Sequence, residues 1–261
     1  AHYALVNAFL SRVQNKRQDE YGCQTLENRA RFSVEILRRV RELVGLDFVV
    51  GVRMCAKEWG HELATTNEEA IEFAKMFERA GADYLQLSAY GYGPFLGAAL
   101  PDTVLYPEPT EETRVFAKRM STGALIPEAA AVKRAVSIPV SGVGRLDHKI
   151  AERILEEGKV DLLCFGRRLM ADPELPKKLA EGREEDIRPC LGCINCYHMY
   201  LLNQPVQCRM NAFAGNETQM ILKPAEKKKR VMVVGAGPAG MEDARVAATR
   251  RHEVLLYDKA S

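Results

Sequence analysis

Apolar runs rich in β-branched residues alternate along this chain with segments of helical periodicity. Phe48-Val49-Val50-Gly51-Val52-Arg53, Tyr84-Leu85-Gln86-Leu87-Ser88, Ile138-Pro139-Val140-Ser141-Gly142-Val143 and Val160-Asp161-Leu162-Leu163-Cys164-Phe165 read as strands. Helices fill the intervals, at about residues 26–44, 67–80, 127–135 and 149–157. Gly45, Gly81 and Gly158 stand where helix C-termini need a positive φ. This alternation predicts parallel strands joined by crossover helices. The strands read as apolar throughout, which predicts burial of both faces. Four such units make the C-terminal half of an eight-stranded (β/α)8 barrel of the TIM type. An open half leaves two strand edges unpaired, so the remaining strands are expected upstream of Ala1. The chain opens on Ala1-His2-Tyr3 without an initiator Met and stops at Lys259-Ala260-Ser261, which reads as an internal piece of a longer protein.

A second pattern comes after the first. A polar, Lys-rich linker over residues 216–230 leads into the short apolar run Val231-Met232-Val233-Val234. That run enters Gly235-Ala236-Gly237-Pro238-Ala239-Gly240, then a helical stretch to about Arg250, a strand from Glu253 to Tyr257, and Asp258. Such glycines permit a tight turn and close approach of a pyrophosphate to the backbone, and a helix N-terminus favours its charge. Asp258 stands 18 residues after Gly240, placed to accept hydrogen bonds from a ribose hydroxyl. The acid argues for an unphosphorylated ribose and leaves FAD and NAD(H) both open. The expected organisation is a barrel half over 1–186, a cysteine-rich segment over 187–215, the linker over 216–230, and the start of a Rossmann-like βαβ domain over 231–261.

The 187–215 segment carries the chemistry that stands out most. Cys190, Cys193 and Cys196 are separated by two residues each, and Cys208 comes after eleven more. Thiolates at such spacing hold zinc or an iron–sulfur cluster. Three close cysteines and one remote are more like cluster ligation than the two pairs of a zinc finger. Cys55 and Cys164 read as core thiols.

Composition narrows the classes. The 261 residues are 47% hydrophobic, enough for a sizeable core or two domains. A net charge of +2 without a basic stripe argues against nucleic acid. Lys227-Lys228-Lys229-Arg230 reads as a solvated approach to the strand after it. No apolar run is long enough to span a bilayer, and no signal-peptide pattern is read. Seven cysteines, four at cluster spacing, fit a reducing compartment, so a cytoplasmic location is expected.

Several segments together resemble the old yellow enzyme family. Asn15-Lys16-Arg17, Asp19-Glu20-Tyr21-Gly22 and Leu26-Glu27-Asn28-Arg29 are similar to the loop and helix after that family's fourth barrel strand. Gly166-Arg167 and Ala171-Asp172-Pro173 are similar to its eighth strand and the segment just after that strand. The cysteines and then the glycine motif resemble its multidomain branch, which includes 2,4-dienoyl-CoA reductase, enoate reductase and trimethylamine dehydrogenase. The resemblance implies FMN in the barrel, a 4Fe–4S cluster at its edge, FAD in the later domain, and NAD(P)H as electron donor. It implies Arg53 against the flavin ring, and Gly144, Arg145, Gly166 and Arg167 around the FMN phosphate. It implies His2 as a hydrogen-bond donor to a substrate carbonyl, and Cys190, Cys193, Cys196 and Cys208 as cluster ligands. The family's tyrosine two residues after the histidine is Ala4 here, with Tyr3 one position earlier. Cys23 departs from a glycine pair, and Arg168 has no matching role. Tyr90, Tyr92 and Trp59 fall in strand-following loops where substrate walls are built, and Tyr90-Gly91-Tyr92-Gly93-Pro94 suits a lid or a packed turn. His61, His148 and His198 read as surface or core histidines.

The resemblance implies an ene-reductase acting on an unsaturated carbonyl compound, with that small molecule and a nicotinamide as partners and a homo-oligomer left open. Amine dehydrogenation, with electrons leaving through the cluster, is the first alternative. A non-catalytic electron-transfer piece or inert fragment is the second, and the fragment alone is expected to be inactive.

Overall fold

The computed structural model describes residues 5–92 and 123–259. Within them the helix α1 (Leu5–Leu10) and the long α2 (Leu26–Val44) precede the strand β1 (Gly51–Trp59). Then come α3 (Asn67–Arg79), β2 (Tyr84–Gly91), α4 (Ile126–Lys133), β3 (Val140–Gly142), α5 (His148–Glu156) and β4 (Leu162–Leu163). The four strands form one parallel sheet in the order β1-β2-β3-β4. Each strand lies beside the next in sequence, as in a barrel wall.

Local chemistry starts the helices. The Thr25 hydroxyl accepts from the Asn28 N–H at the head of α2, and Thr66 and Glu69 form a reciprocal capping box on α3. Residues three and four apart then face the sheet: Arg29, Ala30, Ser33 and Leu37 on α2, and Ala70, Phe73, Ala74 and Phe77 on α3. They pack on Met54, Ala56, Leu85, Leu87 and Val140.

The strands are not apolar on both faces, contrary to the sequence reading. They alternate. Arg53, Gln86 and Ser141 share one row of the register across β1, β2 and β3, on the face away from the helices. The Gln86 amide donates to Cys164 Sγ at 2.8 Å, and Ser141 Oγ lies 3.2 Å from the same sulfur. A barrel interior receives the side chains opposite the helical layer, so polar and apolar residues must alternate.

The first strand also begins later than its apolar run suggests. Phe48 and Val49 are exposed and precede it. Arg41 holds this connection by donating to the carbonyls of Gly45 and Phe48, while the Val50 N–H donates to Asp83.

The family-like motifs are structural knots. Asn15 donates through its amide to the carbonyls of Phe9 and Tyr21, and its oxygen accepts from the Arg17 N–H. Arg29 is buried over the Phe73 ring, donating to Leu10 O, Glu69 and Thr65.

After β4, α6 (Arg167–Ala171), α7 (Leu175–Ala180) and the 3-10 turn Glu184–Asp186 lead to the cysteine-rich segment, which contains α8 (Asn195–Leu201). Two buried polar residues fasten that segment: Asp172 accepts from the Arg188 N–H at 2.9 Å, and Asn211 donates to Met170 O at 2.9 Å. The last elements are β5 (Arg230–Val234), α9 (Pro238–Thr249) and β6 (Glu253–Tyr257), with β5 and β6 parallel. Among the described residues no helix is long and apolar enough to cross a membrane.

Candidate active site

Two consecutive turns at the C-terminal ends of β3 and β4 build a cationic cradle. After β3 the chain passes through Gly144 at φ +118° and Arg145 at φ +53°. Gly144 takes a φ that favours glycine, and a Cβ there would crowd Leu125 Cγ at 3.0 Å. Arg145 is a non-glycine residue held in the left-handed region, a costly conformation that recurs at functional sites. After β4, Gly166 has open space where a Cβ would be, and Arg167 is next in the chain. Burial, together with the Arg167 charge, lowers the Arg145 pKa to about 10. Arg167 keeps a buried Nη1 with no hydrogen-bond partner among the described residues. Two guanidiniums that feel each other's charge beside the open space at Gly166 are chemically suited to an anion.

Arg168, which sequence reasoning left without a role, supports this arrangement. Its Nε donates to Leu146 O at 2.5 Å and ties the turn after β3 to the helix after β4. The signal for it lay in the fold, since the two residues are 22 apart in sequence.

Arg53 was expected at the end of its strand. It is the third residue of β1, because the strand runs on through a bulge to Trp59. Its register partner is Gln86, so it lies on the interior face of the sheet, away from the helical layer. Trp59 and Tyr90 likewise belong to β1 and β2 rather than to loops, and Tyr92 comes directly after β2. His2 lies outside the described residues, as do Tyr3, Ala4 and the Gly93-Pro94 end of the proposed lid.

A buried polar knot at this same end was not anticipated. Glu58 Oε2 accepts from Ser11 Oγ at 3.0 Å and from the Thr65 N–H at 2.8 Å, while Tyr92 OH donates to Glu58 Oε1 at 3.1 Å. Burial, helped by the Glu58 charge, holds the Tyr92 phenol above its ordinary pKa. Cys55, close by on β1, is buried and its thiol is pushed up to about 12.

The cysteine segment is brought together in part. Cys190, Cys196 and Cys208 are half-buried and Cys193 is exposed. Burial raises the Cys196 pKa; Arg167 opposes this, and Cys190 and Cys208 reinforce it, so these three sulfurs and Arg167 share one electrostatic neighbourhood. Among the described residues no three His, Cys, Asp or Glu side chains stand close enough together to hold a metal ion. The donors themselves, four thiols, fit a thiolate-bound metal group.

The glycine motif forms a turn between β5 and α9. Gly235 takes φ +104°, and a Cβ on Gly240 would meet Gly235 O at 1.8 Å. Gly237 is open and precedes Pro238, the first residue of α9. Asp258 lies after β6 beside this loop, and its Oδ2 accepts from the Ala236 N–H at 2.5 Å. The acid expected to meet a ribose therefore closes on the loop itself. His148 bonds to Glu184, His61 accepts from the Leu63 N–H, and His198 is exposed, as surface histidines do.

Fold and site together define a class: parallel α/β proteins wound strand by strand, with paired glycine–arginine turns at the carboxyl ends of the strands. The chain belongs to the NADH:flavin oxidoreductase / NADH oxidase family, whose model matches residues 1–186. It is 40% identical over 263 residues to an NADH oxidase of Thermoanaerobacter brockii, covering 99% of this chain and 38% of that protein. Among solved structures it is similar to a 2-naphthoyl-CoA reductase in complex with 2-naphthoyl-CoA, with TM-score 0.82 and 37% identity, covering 97% of this chain and 36% of that one. It is also similar to histamine dehydrogenase from Rhizobium sp. 4-9, with TM-score 0.79 and 32% identity, covering 96% of this chain and 34% of that one. The chain thus spans less than two fifths of the length of these relatives.

Proposed function

We propose that this chain is the core of a flavin-dependent oxidoreductase that uses NAD(P)H to reduce the C=C bond of an α,β-unsaturated carbonyl compound of the enoate or acyl-thioester type. The observation that carries this reading is Arg167, whose buried Nη1 has no hydrogen-bond partner among the described residues, next to Gly166 with open space at its Cα. Arg167 would hold the phosphate of FMN through this buried donor, with Arg145 and the glycine turns beside it. Arg53, on the interior row of the same sheet, supplies the cation for the ring end of the cofactor. His2 hydrogen-bonds the substrate carbonyl and draws electron density from the conjugated bond. Cys190, Cys193, Cys196 and Cys208 hold a 4Fe–4S cluster, and Gly235, Gly237, Gly240 and Asp258 hold FAD. When bound, these groups supply hydride and single-electron transfer. The partners on this reading are a nicotinamide and an unsaturated small molecule, with neither nucleic acid nor a membrane involved.

Amine dehydrogenation is the second reading. It is favoured by the likeness to histamine dehydrogenase and by aromatic rings at the strand ends, since rings of that kind can cage a cation.

The deciding experiment is on the purified full-length protein. Flavin and iron are quantified, and NAD(P)H oxidation is monitored with a 2-enoate and with a tertiary amine in turn. Enoate-dependent oxidation supports the first reading. Electron release from the amine without a nicotinamide supports the second.

A further inference from the structure

Glu58 lies at the C-terminal end of β1, one residue before Trp59, with only 3% of its surface exposed. Its carboxylate binds three separate pieces of chain. Ser11, itself 1% exposed, comes from the turn after α1. The Thr65 N–H comes from the connection into α3, and the Glu58 N–H answers by donating to Thr65 O at 2.9 Å. Tyr92 comes from the end of β2; its hydroxyl accepts from the Gln14 amide and lies 3.2 Å from Ser11 Oγ. A buried carboxylate with every partner in place is a rigid joint, and losing it strands several donors at once.

The joint holds an aromatic group. The Tyr92 ring meets Tyr90 edge-on at 4.7 Å, and the Tyr92 N–H donates to Trp59 O at 2.8 Å. Trp59 packs against the cluster of Ala89, Ala124 and Leu125, and Leu125 also touches the space over Gly144. One apolar floor therefore runs from the aromatic group to the anion cradle. The Lys57 ammonium lies 5.7 Å from the centre of the Trp59 ring, so this ring already receives one cation and a second would be repelled.

We propose that Glu58 is a positioning residue: by tying Ser11, Thr65 and Tyr92 together it holds Trp59, Tyr90 and Tyr92 as a fixed wall that stacks against a planar, conjugated acyl substrate without positive charge. The inference rests on the enoate reading above for its substrate class. The carboxylate touches no reacting atom. Its effect is on which substrate is held, through ring stacking.

The test uses the full-length flavoprotein and two probes, 3-phenylpropenoate and 2-butenoate. Equilibrium dialysis gives Kd, NAD(P)H oxidation gives kcat and KM, and thermal melting reports folding. Glu58→Gln should weaken binding of 3-phenylpropenoate about tenfold, with KM rising in step, while 2-butenoate changes less than about twofold. Tyr92→Phe keeps the ring, removes one bond of the joint and should give a smaller loss of the same sign; it decides the matter should the first variant fail to fold. Equal weakening of both probes, or no change in either, overturns the proposal. Selective binding in the wild type without any turnover would sink the enoate reading and leave the wall standing. Turnover of both probes with no selectivity lost in the variants would do the reverse.

Discussion

Arg145 and Arg167 show how single residues are read differently once their neighbours are known. In sequence each is one of many arginines, and Arg145 could as well have been a surface residue. In the fold, burial and the neighbouring Arg167 charge together depress the Arg145 pKa, and Arg167 keeps a buried Nη1 without a hydrogen-bond partner among the described residues. Replacing either arginine with Ala should weaken FMN retention about tenfold to a hundredfold, the range expected for a lost charge-assisted contact. Flavin content after gel filtration checks this, and undiminished FMN in both variants would refute it. Thiol reactivity separates the cysteines. Cys55, with its pKa near 12, should resist alkylation at neutral pH, while exposed Cys193 reacts in metal-free protein. Peptide mapping after timed iodoacetamide treatment reads the order. Glu58 was missed altogether in sequence because its partners Ser11 and Tyr92 lie 47 and 34 residues away.

At the level of elements, helices were the legible part. The Thr66–Glu69 capping box and the spacing of Ala70, Phe73, Ala74 and Phe77 mark α3 from local chemistry alone. Strands were legible in existence but not in extent. A bulge between Cys55 and Glu58 carries β1 on to Trp59, and no local pattern announces a bulge. The joint between the barrel part and the cysteine segment depends on Asp172. Burial alone would raise its pKa; the bonds from Lys178 and the Arg188 N–H outweigh that and lower it. A depressed carboxyl pKa adds stability above its unfolded value, and the contribution disappears as pH falls through the folded one. Melting temperature should therefore drop on the acid side of the ordinary carboxylate range. Asp172→Asn should flatten that acid limb and cost roughly 3–5 kcal/mol at neutral pH by stranding Lys178. An unchanged acid limb would remove Asp172 from the account. Gly240→Ala tests the last unit, since its methyl would strike Gly235 O; loss of FAD without loss of FMN is expected.

Across the whole molecule, the four-stranded sheet, the cysteine segment and the β5–α9–β6 unit follow one another along the chain. Arg167 is the residue common to two of them, paired with Arg145 on one side and felt by Cys196 on the other. In the full-length protein, substitution of Cys190, Cys196 or Cys208 by Ala should lower bound iron while FMN is kept. Zinc in place of iron in the wild type would end the cluster reading. The strand–helix alternation, the cysteine spacing and the glycine loop are legible from the residue order, because each is written in residues near one another along the chain. The alternation of polar and apolar strand faces, the closure of Asp258 on its own loop and the joining of three segments by Glu58 emerge only on folding. Those outcomes depend on which distant groups meet at strand ends, and proximity of that kind is created by folding rather than by order along the chain.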